Sequence, residues 1–220
     1  MDIVPDTLKK LFLCQKKTKL FFFFLILPLG VCAQPEQVAI QLLDITNQRE
    51  PVINIINLKI DQLWHSGRYE KIFPLFHLVV RLDPLDEEAW ATGGWFLIYC
   101  VAPMTGFPES EKIKQKGIEF LKEGLTHNFD SYRLYWELAW IYYARGEFGN
   151  AIAYLDKAIQ YEHPAYVENT RAHALEKLGR IDDAIKQWQE IKKKFPEMRF
   201  VAERFILNLQ KEKTDVKQNP

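Results

Sequence analysis

Cysteine is nearly missing from this chain. Of its three, Cys14 and Cys32 lie within the first 33 residues, so Cys100 stands alone in the remainder and excludes a disulfide framework there. HExxH, GxSxG, a glycine-rich phosphate loop and paired-cysteine metal motifs are all absent. The five histidines stand singly at 65, 77, 127, 163 and 173. His173 and Glu176 share a helical turn, but two groups lack the third ligand of a catalytic zinc site and read as a surface or groove pair. Carboxylates are plentiful, yet no pattern pairs two of them for acid and base work. These absences predict a non-enzymatic chain with no catalytic residues, no cofactor and no metal.

Net charge is absent too, with 29 basic and 29 acidic residues. The balance hides a split. Residues 1–33 carry five lysines against two aspartates, so the rest is left with 24 basic and 27 acidic residues, a net −3. A slightly acidic body argues against nucleic acid as partner, since that binding draws most of its affinity from neutralised phosphates. The run Lys192, Lys193, Lys194 then reads as a solvated helix face. With 220 residues and 48% apolar content there is room for one or two domains and a continuous core, and nothing in the composition suggests disorder.

No apolar run is long enough for a regular membrane span. Leu20 to Ala33 supplies about fourteen residues, short of the roughly 20 a spanning helix needs, and Pro28 and Gly30 interrupt it. Lys9, Lys10, Lys16, Lys17 and Lys19 precede that run, and Val31, Cys32 and Ala33 close it. The order is that of a secretory signal, with cleavage expected after Ala33 and the mature chain exported, periplasmic or extracellular. The alternative is an uncleaved anchor, the only membrane contact expected. A lipoprotein reading would acylate Cys32, but Val31 before it is bulkier than the small residue such signals usually have there.

What the chain does have is a repeat. From Tyr132, Tyr135, Leu138, Ala139 and Tyr142 recur at helical spacing, as do Ala151, Leu155 and Ala158, with Gly146 between the two runs. That is a helix, a tight turn and a second helix. Gly146 and Gly179 are 33 residues apart, as are Ala151 and Ala184, and Ala158 and Ile191 match at the same offset. A helical pair cannot cover its own inner face, so recurrence predicts a stack of pairs. Upstream, a helix is predicted from Pro51 to Ser66, a turn at Gly67, and a second helix from about Tyr69 to Leu82, stopped by Asp83 and Pro84. Pro74 is tolerable there because it falls in the second helix's first turn or two. Residues 36–48 keep helical spacing, while their β-branched content leaves a strand open. Gly67 to Gly146 spans 11 residues more than two units, and the excess is placed near 101–111, where two prolines and a glycine argue against helix. Helix is expected to resume at about Lys112 and to carry Gly117 and Gly124 at close-packed positions.

These residues resemble the tetratricopeptide repeat, whose unit of roughly 34 residues has small side chains where its helices approach closest, a glycine at the turn and a late proline. Ala139, Gly146, Ala151 and Ala158 occupy those places in one unit, and Ala172, Gly179, Ala184 and Pro196 in the next. The first unit departs from the pattern, with Ile60 and Ile72 where small residues are expected. The resemblance implies an all-α, right-handed superhelix of helical hairpins, an α-solenoid. Its expected parts are a signal segment at 1–33, an N-terminal segment at 34–50, and a repeat domain at 51–212. Within that domain lie units at about 53–86, 87–131, 132–164 and 165–198 and a capping helix at 199–211, with a flexible tail at 213–220.

The resemblance also implies surface recognition of a protein or peptide segment, because the first helix of each unit lines a concave face. Carried over residue by residue, that face comprises Trp64, Trp95, Tyr99, Arg133, Trp136, Trp140, Tyr143, Tyr166, Asn169 and His173, with Asp61 and Glu88 among their neighbours. Trp136, Trp140 and Tyr143 form one stripe on spacing alone. They fit either a groove with aromatic anchors or packing between units. Asn57 and Asp61 stand where the family's carboxylate-clamp subtype has a basic residue and an asparagine, so capture of a chaperone C-terminus is not implied. The functional expectation is an exported protein-binding scaffold in a bacterial envelope assembly or secretion, or, alternatively, a receptor whose tryptophans stack on a glycan or envelope polymer.

Overall fold

The computed structural model describes residues 35–218. The expected signal segment, 1–33, lies outside the described residues. The chain divides into two compact units, Met1–Ala39 and Ile40–Pro220. Of the first, only the start of a helix is described. The second is built entirely of helical pairs among its described residues.

Helix α1 spans Pro35–Ile45, so the helical spacing at 36–48 prevails over its β-branched content. Asn47 ends it in the left-handed conformation, φ 54°. Then follow α2 (Arg49–His65), a 3₁₀ turn at Tyr69–Lys71, and α3 (Phe73–Leu82), with Pro74 in the first turn where its missing N–H costs nothing. Helix α4 (Glu87–Trp95) starts on Asp86, whose carboxylate accepts from the Ala89 N–H at 2.9 Å. The later pairs are α5 (Glu109–His127), α6 (Tyr132–Ala144), α7 (Phe148–Ala158), α8 (Ala165–Lys177) and α9 (Ile181–Lys194), closed by α10 (Arg199–Gln218). From α2 onward successive helices pack on one another, and α4, α6 and α8 also meet along the stack. Among the described residues no helix is long and apolar enough to cross a membrane.

The 33-residue spacing has a backbone cause. Gly67, Gly146 and Gly179 adopt φ of 68°, 77° and 71°, each ending a first helix. In each, the residue after the glycine bonds back over the last turn, as Arg68 N–H does to Leu63 O, Glu147 N–H to Tyr142 O and Arg180 N–H to Leu175 O. A Cβ would meet nothing within 4 Å at any of the three, so the requirement is dihedral rather than steric. The small residues mark contact between helices: Ala139, Ala151, Ala158, Ala172 and Ala184 are fully buried.

The second unit departs from the sequence reading. Helix does not stop near residue 101; it continues from α4 as a π-helical stretch, Phe96–Val101, and a 3₁₀ turn, Ala102–Met104. Helix α5 begins at Glu109 rather than Lys112, so irregular chain is confined to residues 105–108. Pro103 sits in the first turn of the 3₁₀ segment and Pro108 just before α5, both places where no backbone donor is needed. The extra residues therefore lengthen the pair.

That longer pair is held by glycines. A Cβ on Gly94 would lie 2.5 Å from Leu121, one on Gly117 would lie 2.6 Å from Ile98, and one on Gly124 would lie 2.7 Å from Trp90 Cγ. Trp90 cannot retreat, because its Nε1–H donates to Pro84 O at 2.9 Å and its ring packs on Phe120 and His127. Gly124→Ala is therefore expected to lower stability by about 1–2 kcal/mol, an overpacking cost reduced by alanine's better helix propensity. A urea titration checks it, and an unchanged midpoint would show that α4 and α5 can part.

At the C-terminus the expected tail at 213–220 is instead helix as far as Gln218. Nothing between 199 and 218 breaks a helix, and Lys213 pairs with Asp182 on α9. Ala202 and Leu209 of α10 are buried against Leu175, Trp188 and Ile191.

Candidate functional site

The first helices α2, α4 and α6 each carry a tryptophan that packing leaves more than a third exposed. Trp64 closes the end of α2, where its ring meets Tyr69 edge-on at 5.3 Å and Phe96 at 6.1 Å. The π-helical stretch contributes here, because it buries Phe96 beneath Trp64 while Trp95 stays on the surface. Trp64 and Trp95 stand 6.5 Å apart and are tilted by 36°. Together with Asn57, Ile60, Asp61, Ile72, Phe76, Asp86, Glu88, Ala89, Thr92 and Phe96 they line a cleft of about 450 Å³.

A second cleft of about 210 Å³ adjoins it. Thr92 and Trp95 line both, and Arg133, Trp136, Glu137 and Trp140 complete the second. Arg133 bridges the two, its Nε–H donating to Glu137 Oε1 at 3.0 Å and its Nη1 lying 3.4 Å from Glu88 Oε2. Burial pushes the Glu137 carboxyl above its ordinary range despite that hydrogen bond from Arg133.

The aromatic stripe divides between the two roles the sequence left open. Trp136 stacks on Trp140 at 5.9 Å, and Trp140 on Tyr143 at 5.5 Å. Trp136 is also tied to α8, where its Nε1–H donates to Thr170 Oγ1 at 3.1 Å and its ring meets Tyr166 edge-on at 4.8 Å. Burial, helped by a hydrogen bond with Tyr132, pushes the Tyr166 hydroxyl up. Tyr143 leans on Phe148 and packs against the C-terminal core. Trp64, Trp95 and Trp140, one on each successive first helix, keep 39%, 38% and 39% of their surface exposed.

Of the ten residues expected on this face, Trp64, Trp95, Arg133, Trp136 and Trp140 thus line the adjoining clefts. Tyr99 is half-buried beside Trp95, with ring centroids 6.2 Å apart. Tyr143 and Tyr166 extend the stack. Asn169 is half-buried on α8, with its Oδ1 unpartnered. His173 faces the C-terminal core instead, packed edge-on against Trp188 and Phe205, with Nδ1 3.0 Å from Glu176 Oε2. The sequence reading missed Glu137, Thr92 and Asp86. Only Glu137 carried a signal, its i,i+4 spacing from Arg133. Among the described residues no three His, Cys, Asp or Glu side chains converge to hold a metal.

Comparison with known proteins bears on the repeat and the fold. The tetratricopeptide repeat family matches residues 134–164 and 171–197, the α6–α7 and α8–α9 pairs. The crystal structure of a thermophilic TPR protein of Thermus thermophilus is similar, with a TM-score of 0.53 over 78% of this chain and 99% of that one at 15% identity. YrrB, a TPR protein with an unusual peptide-binding site, is similar with a TM-score of 0.52, over 82% of this chain and 84% of that one at 16% identity. This is a tetratricopeptide-repeat fold. The two repeats that match in sequence are those with the small residues intact, while the earlier pairs of the TPR stack, with Ile60, Ile72 and the lengthened α4–α5, match in fold alone. No curated protein sequence matches the chain.

Proposed function

We propose that this TPR chain is an exported, non-catalytic scaffold that binds a protein or peptide segment across the aromatic face of α2, α4 and α6, in a bacterial envelope assembly or secretion. The observation that carries the reading is the trio Trp64, Trp95 and Trp140, left more than a third exposed on consecutive first helices while the interior is closed. Large aromatic rings exposed in neighbouring clefts are the residue types that dominate protein interfaces. The relative with a named peptide-binding site supports the same reading. Export rests on the basic and apolar pattern of residues 1–33. A photo-crosslinking residue in place of Trp95 is expected to give a discrete protein adduct in cells, and the same residue in place of the exposed Glu190 on α9 is not. Adducts equally frequent at both positions would defeat the proposal. A glycan or envelope polymer is the second reading, favoured by the indole surface that Trp64, Trp95 and Trp140 leave exposed.

A further inference from the structure

We propose that the first cleft receives a lysine or arginine side chain carried by an extended peptide segment. Trp64 and Trp95 would flank the cation, and Asp61, Asp86 and Glu88 would supply the countercharge. The inference rests on the peptide-binding reading above and adds the chemistry of what enters.

Charge selects the sign of the occupant. The two clefts are lined by four carboxylates, Asp61, Asp86, Glu88 and Glu137, against one basic side chain, Arg133. Arg133 is already engaged by Glu88 and Glu137. In the first cleft the Asp61 carboxylate, 67% exposed, has among the described residues a histidine beside it, His65 Nδ1 at 3.3 Å. An incoming anion would meet uncompensated negative charge, whereas a cation gains Coulomb attraction and the faces of two indoles.

The walls suit a long aliphatic stem. Ile60, Ile72, Phe76 and Phe96 form the apolar lining beneath the rings, so a lysine or arginine can bury its methylenes and keep its head between the tryptophans and the carboxylates. Continuity argues for a chain rather than a small free cation. Thr92 and Trp95 belong to both clefts, so an extended backbone leaving the first passes directly toward Trp136 and Trp140.

The test is to pan short, randomised displayed peptides against the full chain and to titrate a selected peptide into it while following the indole N–H resonances. Selected sequences are expected to be enriched in lysine or arginine and to shift the Trp64 and Trp95 signals. Binding should weaken about tenfold in the D61N/E88Q double variant and fall as salt rises. Changing the basic residue of the peptide to leucine should cost as much. Both substitutions lie on exposed helix positions, and a circular dichroism spectrum matching that of the native chain is the check that the fold persists. Selected peptides that lack basic residues, or that bind the double variant unchanged while still requiring Trp95 and Trp140, overturn the cation inference and leave the peptide-binding reading intact. If no peptide is selected, or if neutral oligosaccharides alone shift the indole signals, both fail.

Discussion

Trp188→Ala is expected to destabilise the C-terminal repeats by about 3–5 kcal/mol, the range for deleting a buried aromatic side chain. Trp188 is 1% exposed. Its ring stacks on Phe205 of α10 at 4.5 Å and meets His173 of α8 edge-on at 5.1 Å, so one side chain ties three helices together. Its Nε1–H also donates to Glu176 Oε1 at 2.7 Å. That bond, with the one from His173, holds the Glu176 carboxyl below its ordinary range against the opposing effect of burial. Truncation therefore opens a cavity and leaves a half-buried carboxylate short of a donor. Because a repeat stack is held by nearest-neighbour contacts, the loss should remain local. Hydrogen exchange should show α8, α9 and α10 losing protection while α2 to α5 keep theirs. Uniform loss along the chain would mean that the stack unfolds as one unit. Trp188→Phe separates the two effects, and its cost should be near the roughly 0.5–1.5 kcal/mol of a single hydrogen bond.

Glu168→Ala should cost about 3 kcal/mol, because it removes the centre of a buried polar cluster. Glu168, 6% exposed on α8, accepts at Oε1 from Lys194 at 2.7 Å and lies 3.0 Å from His163 Nε2. Its Oε2 accepts from Gln187 Nε2 at 2.9 Å, and Gln187 in turn accepts from Arg171, which donates to Asp156 at 2.7 Å. The cluster thus joins α7, α8 and α9. His163 and Gln187 are buried and would be left without the carboxylate, whereas Lys194 is half exposed and can return to water. Lys194→Ala should accordingly cost less, about 1 kcal/mol. Burial raises the Glu168 carboxyl, but hydrogen bonds from Lys194 and His163 outweigh it and hold the group below its ordinary range. A carboxyl lowered in the folded state contributes stability above its unfolded pKa of about 4.3, and that contribution is lost as pH falls through the lower folded value. Urea midpoints should therefore drop below about pH 4 in the native chain and drop less steeply in Glu168→Gln. Parallel pH profiles for the two proteins would show that the cluster does not set acid stability.

Much of the fold is legible in the sequence because its determinants are local. A left-handed glycine after α2, α6 and α8 and an alanine at the close approaches of the last two pairs are single-residue requirements, so Gly146, Gly179, Ala139 and Ala184 fix those pairs and their period without reference to anything distant. The lengthened second pair is harder to read. Pro103 and Pro108 look like breakers until their places at the starts of helical segments are known, and a π-helical stretch such as Phe96–Val101 has no spacing of its own in the sequence. The end of α10 escapes sequence reading for a similar reason, since the Lys213–Asp182 pair joins residues 31 apart.

The site divides along the same line. Helical spacing and repeat register are enough to place aromatic side chains on successive first helices, and both are written in the chain itself. How much of each ring stays exposed is settled by packing alone. Trp136 is consumed by Thr170 and Tyr166 of the next unit, His173 by Trp188 and Phe205, while Trp64, Trp95 and Trp140 remain open beside carboxylates drawn from different helices. Exposure depends on what the neighbouring pair brings to each ring, and that is a property of the packed stack rather than of any one stretch of chain.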